Sequence, residues 1–241
     1  SVKDIESLTN TPILGEVARH KGKEFVVVSL NNTNPIVEMF RLIRVNLQFV
    51  ASGKQNKVIL ITSSISGEGK SFFSINFAAS LVLPGKRVVV LGMDLRKPTL
   101  AKNSKIPDEL GITNFLVSDT LSVSDILKPS NLVPNLFIVG SGPISPSPTE
   151  LMMSSRMGVL IETLRSSFDY VIIVSAPIGL VADAFTLAPY IDSTIYLVRR
   201  NYTPKERLEL IDKIYKEKRL RYPMIVFNDT LIAKGHNYGY G

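Results

Sequence analysis

Apolar residues along this chain follow two rhythms. Strand-like runs, each with an unbroken apolar core of four or five residues, recur at 57–62, 88–91, 135–139, 170–174, 193–198 and 224–227. Runs this short and continuous predict strands buried on both faces. Segments with helical spacing alternate with them. Ile36, Phe40, Ile43, Leu47 and Val50 predict an amphipathic helix over 35–50. A second helical pattern over 70–83 ends at Pro84-Gly85. Ser147, Pro148 and Glu150 stand where a cap, a first-turn proline and a capping-box glutamate open a helix running to about 166. Thr203, Pro204 and Glu206 repeat that device before a helix with Leu208, Ile211 and Tyr215 on one face. Short helices are expected at 113–117, 124–127 and 184–189, with Asp183 as cap of the last or as a water-positioning group. Residues 1–34 read as an irregular lead-in with one short strand at 25–30, and 235–241 as a tail without core-forming pattern. The alternation predicts an α/β fold over 35–234, with a mostly parallel central sheet and helices on both faces.

The join between the first core strand and its helix carries the chemistry. Ser64-Ile65-Ser66-Gly67-Glu68-Gly69-Lys70-Ser71 ends as a phosphate-binding loop ends. In such a loop backbone N–H groups cradle phosphates, the lysine reaches the β- and γ-oxygens, and the hydroxyl ligates Mg²⁺. Ser64 replaces the first glycine of the usual pattern, while Gly67 and Gly69 keep the backbone freedom that close approach to a phosphate needs. The run 88–91 delivers Asp94 and Arg96 to its carboxyl end, where open parallel sheets gather their ligands. Asp94 reads there as a site carboxylate or as an ordinary turn residue. The run 170–174 ends in Val174 and Ser175, where P-loop enzymes carry an aspartate for the metal shell. Glu38, Arg41 and Arg44, three apart on the helix 35–50, form either a solvated charged stripe or a subunit contact.

Composition narrows the reading. Against 21 acidic residues stand 28 Lys and Arg, a net charge of +7 that suits a nucleotide, a nucleic acid or an anionic membrane surface. The basic residues are scattered and no zinc finger or RNP motif occurs, so no nucleic-acid partner is expected. The absence of cysteine excludes disulfides, thiolate metal sites and Fe–S clusters. The longest apolar stretch, 170–182, carries Pro177 and is too short to span a bilayer, so the chain itself is expected to be soluble. With Ser1 at its start it is also compatible with a piece of a longer membrane protein.

Taken together, the segments 11–15 and 38–44, the phosphate loop, Asp94-Leu95-Arg96-Lys97-Pro98, 141–151, 176–183 and the tyrosine-bearing tail resemble the cytoplasmic domain of bacterial tyrosine kinases (BY-kinases). That family regulates capsule and exopolysaccharide export. The resemblance implies a P-loop three-layer sandwich related to MinD and ParA, with ATP and Mg²⁺ as cofactors. Residue by residue, it implies nucleotide contacts from Ser66, Gly67, Glu68, Gly69, Lys70, Ser71 and Phe72, with Asn228 beside the adenine. It further implies catalysis by Lys70, Asp94 and Arg96, and metal ligation by Ser71 and Asp94. Glu38, Arg41 and Arg44 would pack a homo-oligomeric ring whose members phosphorylate Tyr238 and Tyr240 of their neighbours. The implied partners are a transmembrane and periplasmic chain-length domain and a tyrosine phosphatase, and the implied location is the cytoplasmic face of the inner membrane.

Two of the family's carboxylates are missing. Gly92 stands at the first aspartate of the second motif and Val174 at the Walker B aspartate. The expectation is an autokinase of reduced activity; the alternative is a nucleotide-binding assembly switch, a pseudokinase in the same pathway. A partitioning ATPase of MinD/ParA type fits less well, because Ile65 replaces its signature lysine. A eukaryotic-type kinase is excluded by the lack of His-Arg-Asp and Asp-Phe-Gly.

Overall fold

The strands of the computed structural model, which describes residues 1–29, 32, 34–50 and 56–231, form one sheet. In chain order they are β1 (Ile13–Ala18), β2 (Val58–Ser63), β3 (Val88–Met93), β4 (Lys128–Pro129), β5 (Leu136–Val139), β6 (Tyr170–Ser175), β7 (Ser193–Arg199) and β8 (Pro223–Thr230). The helices are α1 (Val2–Glu6), α2 (Pro35–Val50), α3 (Lys70–Val82), α4 (Leu100–Ser104), α5 (Ile112–Val117), α6 (Val123–Ile126), α7 (Pro148–Met152), α8 (Ser155–Ser167), α9 (Asp183–Thr186) and α10 (Arg207–Lys216). Sheet order is β1-β8-β7-β2-β6-β3-β5-β4, and every pairing is parallel except β4 with β5.

Alternation along the central strands divides the core in two. Val58 and Leu60 of β2, with Val89 and Leu91 of β3, face the cluster formed with α8 and α10. Ile59, Ile61, Val88 and Val90 face the opposite cluster, formed with α2 and α3. A strand flanked by helices on both sides has no polar face to show, which is why these runs are continuously apolar. Phe40 of α2 meets Phe73 of α3 at 5.6 Å between ring centroids, and Phe73 stacks on Phe77 at 5.5 Å.

Several expectations are corrected. Residues 1–34 are not irregular: α1 lies there, and β1 pairs with β8 from Ile13 opposite Ile225 onward, as an edge of the main sheet. No strand forms over the described part of 25–30. Asn76, fully buried on α3, accepts from the N–H groups of Val27 and Val28 at 2.7 and 3.2 Å and donates to the Phe25 carbonyl at 2.9 Å. One helix side chain thus does for this segment what a neighbouring strand would do. On α2, Val50 is half exposed while Val37 is buried, and on α10 the buried set is Leu208, Ile211 and Ile214, without Tyr215. The helix expected over 147–166 is two, α7 and α8, because Ser154 adopts extended backbone (ψ 154°) between them. Asp183 does not cap α9, which has no side-chain cap bond. The Thr203 device opens no helix at once: α10 starts at Arg207, and the Thr203 hydroxyl is used elsewhere.

Asn76→Ala strips the partners from two buried N–H groups, and it is expected to cost about 2–3 kcal/mol. Urea unfolding at unchanged m-value checks the figure; a loss below about 0.5 kcal/mol, the range of an ordinary surface substitution, would contradict the role given to Asn76.

Candidate nucleotide-binding site

β2 hands the chain to residues 64–69, which turn it directly into α3. Gly67 and Gly69 sit in the left-handed region at φ 87° and 95°, where a Cβ would also collide with Tyr202 and Asn228 respectively. That conformation beside a helix N-terminus turns N–H groups toward one side, the arrangement that receives phosphate. The carbonyls of the same turn are occupied from the other side. Tyr202 Oη donates to the Ser66 carbonyl at 2.9 Å, Arg199 Nη1 to that of Gly67 at 2.8 Å, and Asn228 Nδ2 to that of Glu68 at 2.9 Å.

Glu68 holds the loop from within. Its side chain is fully buried, and its carboxylate accepts from Ser64 Oγ at 2.8 Å, from the Ile65 N–H at 2.9 Å and from Thr203 Oγ1. It therefore points away from the space where a ligand would lie, and only its backbone belongs to the loop's ligand face. Lys70 Nζ donates to Ser63 Oγ at 2.8 Å. Burial lowers its pKa from the ordinary lysine value, opposed by the carboxylates of Asp94 and Glu68. A poorly hydrated ammonium of this kind gains from the approach of a polyphosphate.

Two adjoining cavities open at the carboxyl ends of the strands. The first, about 450 Å³, is lined by Gly67, Lys70, Ser71, Asp94, Thr99 and Val174 among others. The second, about 350 Å³, is lined by His20 and Asn228 among others and shares Phe25, Gly69 and Phe72 with the first. His20 stacks on Phe72 at 5.8 Å between centroids. Together they offer a polar end for phosphates and an aromatic end for a base. A larger cavity, about 750 Å³ and lined by Asn56, Ser193, Tyr215 and Pro223, lies at the opposite ends of the strands, away from the loop. Size does not decide here, because it lacks the loop and the lysine.

Ser71 Oγ lies 3.1 Å from Thr99 Oγ1, and Asp94 Oδ1 accepts from the Lys97 N–H at 3.0 Å. Gly92 of β3 and Val174 of β6, the two positions without carboxylates, are direct register partners. No group of three or more His, Cys, Asp or Glu that could hold a metal occurs among the described residues. One hydroxyl and one carboxylate beside a phosphate cradle still suit Mg²⁺, which keeps several waters and takes most remaining ligands from phosphate oxygens.

Arg96 does not line the first cavity. Its Nε and Nη2 donate to the two oxygens of buried Asp183 at 2.8 and 3.1 Å, and Thr149 Oγ1 donates to the same carboxylate at 2.8 Å. Burial alone would raise the Asp183 pKa, but the hydrogen bonds from Arg96 and Thr149 outweigh it and hold the acid below its ordinary value. This ion pair anchors the turn that presents Asp94. Glu38 pairs with Arg41 on α2, while Arg44 donates to the Ser80 carbonyl of α3 at 2.6 Å. Tyr238 and Tyr240 lie outside the described residues. Arg199 and Tyr202 are not singled out by the sequence and Thr203 reads there only as a helix cap, although Arg199 ends β7 beside the loop-bearing strand, where the carboxyl-end rule directs attention.

Fold and loop together define an α/β protein with the P-loop NTPase fold. MinD of Pyrococcus horikoshii, solved with Mg-ADP, shares the fold at a TM-score of 0.57 and 18% identity over 71% of this chain and 69% of its own. The chimerical protein CapA2B2 superposes with a TM-score of 0.87 at 27% identity, over 96% of this chain and all of that one. No family model matches. The tyrosine-protein kinase CpsD of Streptococcus agalactiae is 36% identical over 193 residues, 78% of this chain and 82% of its own. YwqD of Bacillus subtilis, also a tyrosine-protein kinase, is 32% identical over 203 residues, 84% and 85% of the two chains. EpsB of Ralstonia nicotianae is 27% identical over 94% of this chain but only 30% of its own. The chain belongs to the bacterial tyrosine-protein kinase family.

Asp183→Asn removes the charge that Arg96 needs, and with Arg96 partly solvated the expected loss is about 2 kcal/mol at neutral pH. Because the folded-state pKa is depressed, that stability is present above the unfolded carboxyl value near 3.9 and is lost as pH falls below it. Denaturation of both proteins between pH 7 and 3 should show the gap closing at the acid end; a gap independent of pH would contradict the ion-pair origin.

Proposed function

We propose that the chain is an ATP-dependent protein-tyrosine autokinase that acts in trans on the tail of a neighbouring copy, Tyr238 and Tyr240 included, in control of capsule or exopolysaccharide export. The observation that carries this reading is the loop 64–71 opening into the cavity shared by Lys70, Ser71 and Asp94. Kinship with tyrosine-protein kinases such as CpsD supports tyrosine as the acceptor class. In the proposal the loop N–H groups and Lys70 bind the phosphates, and Lys70 stabilises charge on the transferred phosphoryl group. Phe72 and Asn228 border the base in the second cavity.

Ser71 and Asp94 are the residues that would hold Mg²⁺, which when bound neutralises phosphate charge and orients the γ-phosphoryl group. Asp94 has one oxygen engaged by the Lys97 N–H, which fixes the carboxylate and leaves the other to face ligand. Arg96 acts as a positioning residue through Asp183. With Gly92 and Val174 in place of two acids, the metal is held by fewer protein charges, and activity is accordingly reduced.

The ring contact is proposed for α2. Arg41 and Glu38 remain partly exposed, and Leu42, Val45 and Phe49 expose apolar surface on the same helix. No helix among the described residues is long and apolar enough to cross a membrane. The small share of EpsB that is matched supports placing this domain beside a separate membrane-spanning and periplasmic region, at the cytoplasmic face of the inner membrane and within reach of a tyrosine phosphatase.

Intact mass after incubation with ATP and Mg²⁺ should show phosphorylated chain. Lys70→Met should reduce the rate about 10²–10³-fold, and no difference from that variant would refute catalysis. Joint Gly92→Asp and Val174→Asp should raise the rate about tenfold and lower the Mg²⁺ requirement; an unchanged requirement would show that the two positions do not serve the metal.

A further inference from the structure

The turn that follows β7 grips the nucleotide loop in a way that the kinase reading leaves unused. Arg199 and Tyr202 hold consecutive carbonyls of the loop, and Thr203 holds the buried carboxylate of Glu68. Three contacts from five residues of one turn converge on the three-residue stretch that shapes the phosphate cradle. Arg199 also lies over the Tyr202 ring at 4.9 Å and donates to Asp229 Oδ2 at 3.0 Å. Asp229 in turn accepts from Arg19 at 2.7 and 2.9 Å beside the second cavity. The turn therefore couples the phosphate end of the site to its base end.

Tyr202 is the exposed member of this set. It is 46% accessible, yet its hydroxyl is packed so closely on Gly67 that a side chain there would strike it. We propose that Tyr202 is itself a phosphoacceptor, and that its phosphorylation loosens the nucleotide loop of the chain that carries it. The proposal rests on the kinase reading for its phosphoryl donor. In the step, Tyr202 Oη attacks the γ-phosphorus of ATP held by another copy. An O–P bond forms, the bond from the γ-phosphorus to the β,γ-bridging oxygen breaks, ADP departs and the phenolic proton goes to solvent.

Three consequences follow at the loop. The hydroxyl that donated to the Ser66 carbonyl no longer carries a proton. A group of charge about −1.5 to −2 now stands beside a cradle built for anions. Arg199, already over the ring, has a stronger acceptor than the Gly67 carbonyl and turns to it. Each change disfavours nucleotide binding. A copy modified in this way is a weaker kinase and a weaker ATP binder, so that transfer to this tyrosine limits itself.

The test has two arms. In the first, the full chain is incubated with ATP and Mg²⁺ and its phosphotyrosines are mapped by mass spectrometry. Phosphate on Tyr202 is expected. Phosphate on other tyrosines with Tyr202 bare overturns the acceptor assignment and leaves the kinase reading standing, whereas phosphate nowhere removes both. In the second arm, phosphotyrosine is placed at position 202 during synthesis and ADP affinity is measured by calorimetry, which needs no kinase activity. The expected result is binding at least tenfold weaker than in the unmodified chain. Tyr202→Phe, which keeps the ring over Arg199 and loses only the donated hydrogen bond, should lose about threefold to tenfold. Equal ADP affinity for the phosphotyrosine chain and the unmodified chain, both folded by thermal melting, overturns the coupling of Tyr202 to the loop.

Discussion

A carboxylate buried inside the phosphate loop is the constraint from which the site follows. Glu68 is inaccessible to solvent and tied to Ser64, Ile65 and Thr203, so the loop is wound around its own acid. Burying a carboxylate is tolerable only when its oxygens are matched by donors. Those donors fix where the loop begins and which element it leans on. Once the loop is wound, Tyr202, Arg199 and Asn228 take its carbonyls and leave its N–H side to the cavity. The site is thus assembled from outside inward, by groups that act on the loop from the side away from its N–H face.

The sheet supplies the geometry around this loop. β2 lies between β7 and β6, so its carboxyl end has the Arg199 turn on one side and the β6 end on the other, with β3 and Asp94 one strand beyond. Strand order therefore decides which residues can meet, and it separates Asp94, which lines the cavity, from Arg96, two residues on, which is pinned to Asp183. Register does the same for Gly92 and Val174, which face each other across one strand pair. Two lost carboxylates are one gap in the structure rather than two.

The central strands were legible in the sequence because burial on both faces leaves an unmistakable apolar run, and the loop because Gly-Lys-Ser between a strand and a helix has few other uses. Less legible were features held by side chains distant in sequence. β1 carries Gly15 and Glu16 in its middle and shows itself only through pairing with β8. The segment near 27 looked like a strand because its partner, Asn76, is a single amide on a helix. Two Ser/Thr-Pro-x-Glu sequences looked like identical caps, yet Ser147 stands directly before α7, while Thr203 is drawn to Glu68 and its helix starts only at Arg207. At Asn76 and at Glu68 a buried amide or carboxylate outcompeted the local arrangement that sequence pattern favours. Pattern records local preference; only the fold shows which distant acceptor wins.

Calorimetric titration of ADP into the native chain and into Glu68→Ala tests the central claim most directly, provided that both unfold cooperatively. If the buried acid shapes the cradle, the variant stays folded and binds ADP at least tenfold more weakly, although the removed side chain faces away from the ligand. Equal affinity in the two proteins would contradict the account.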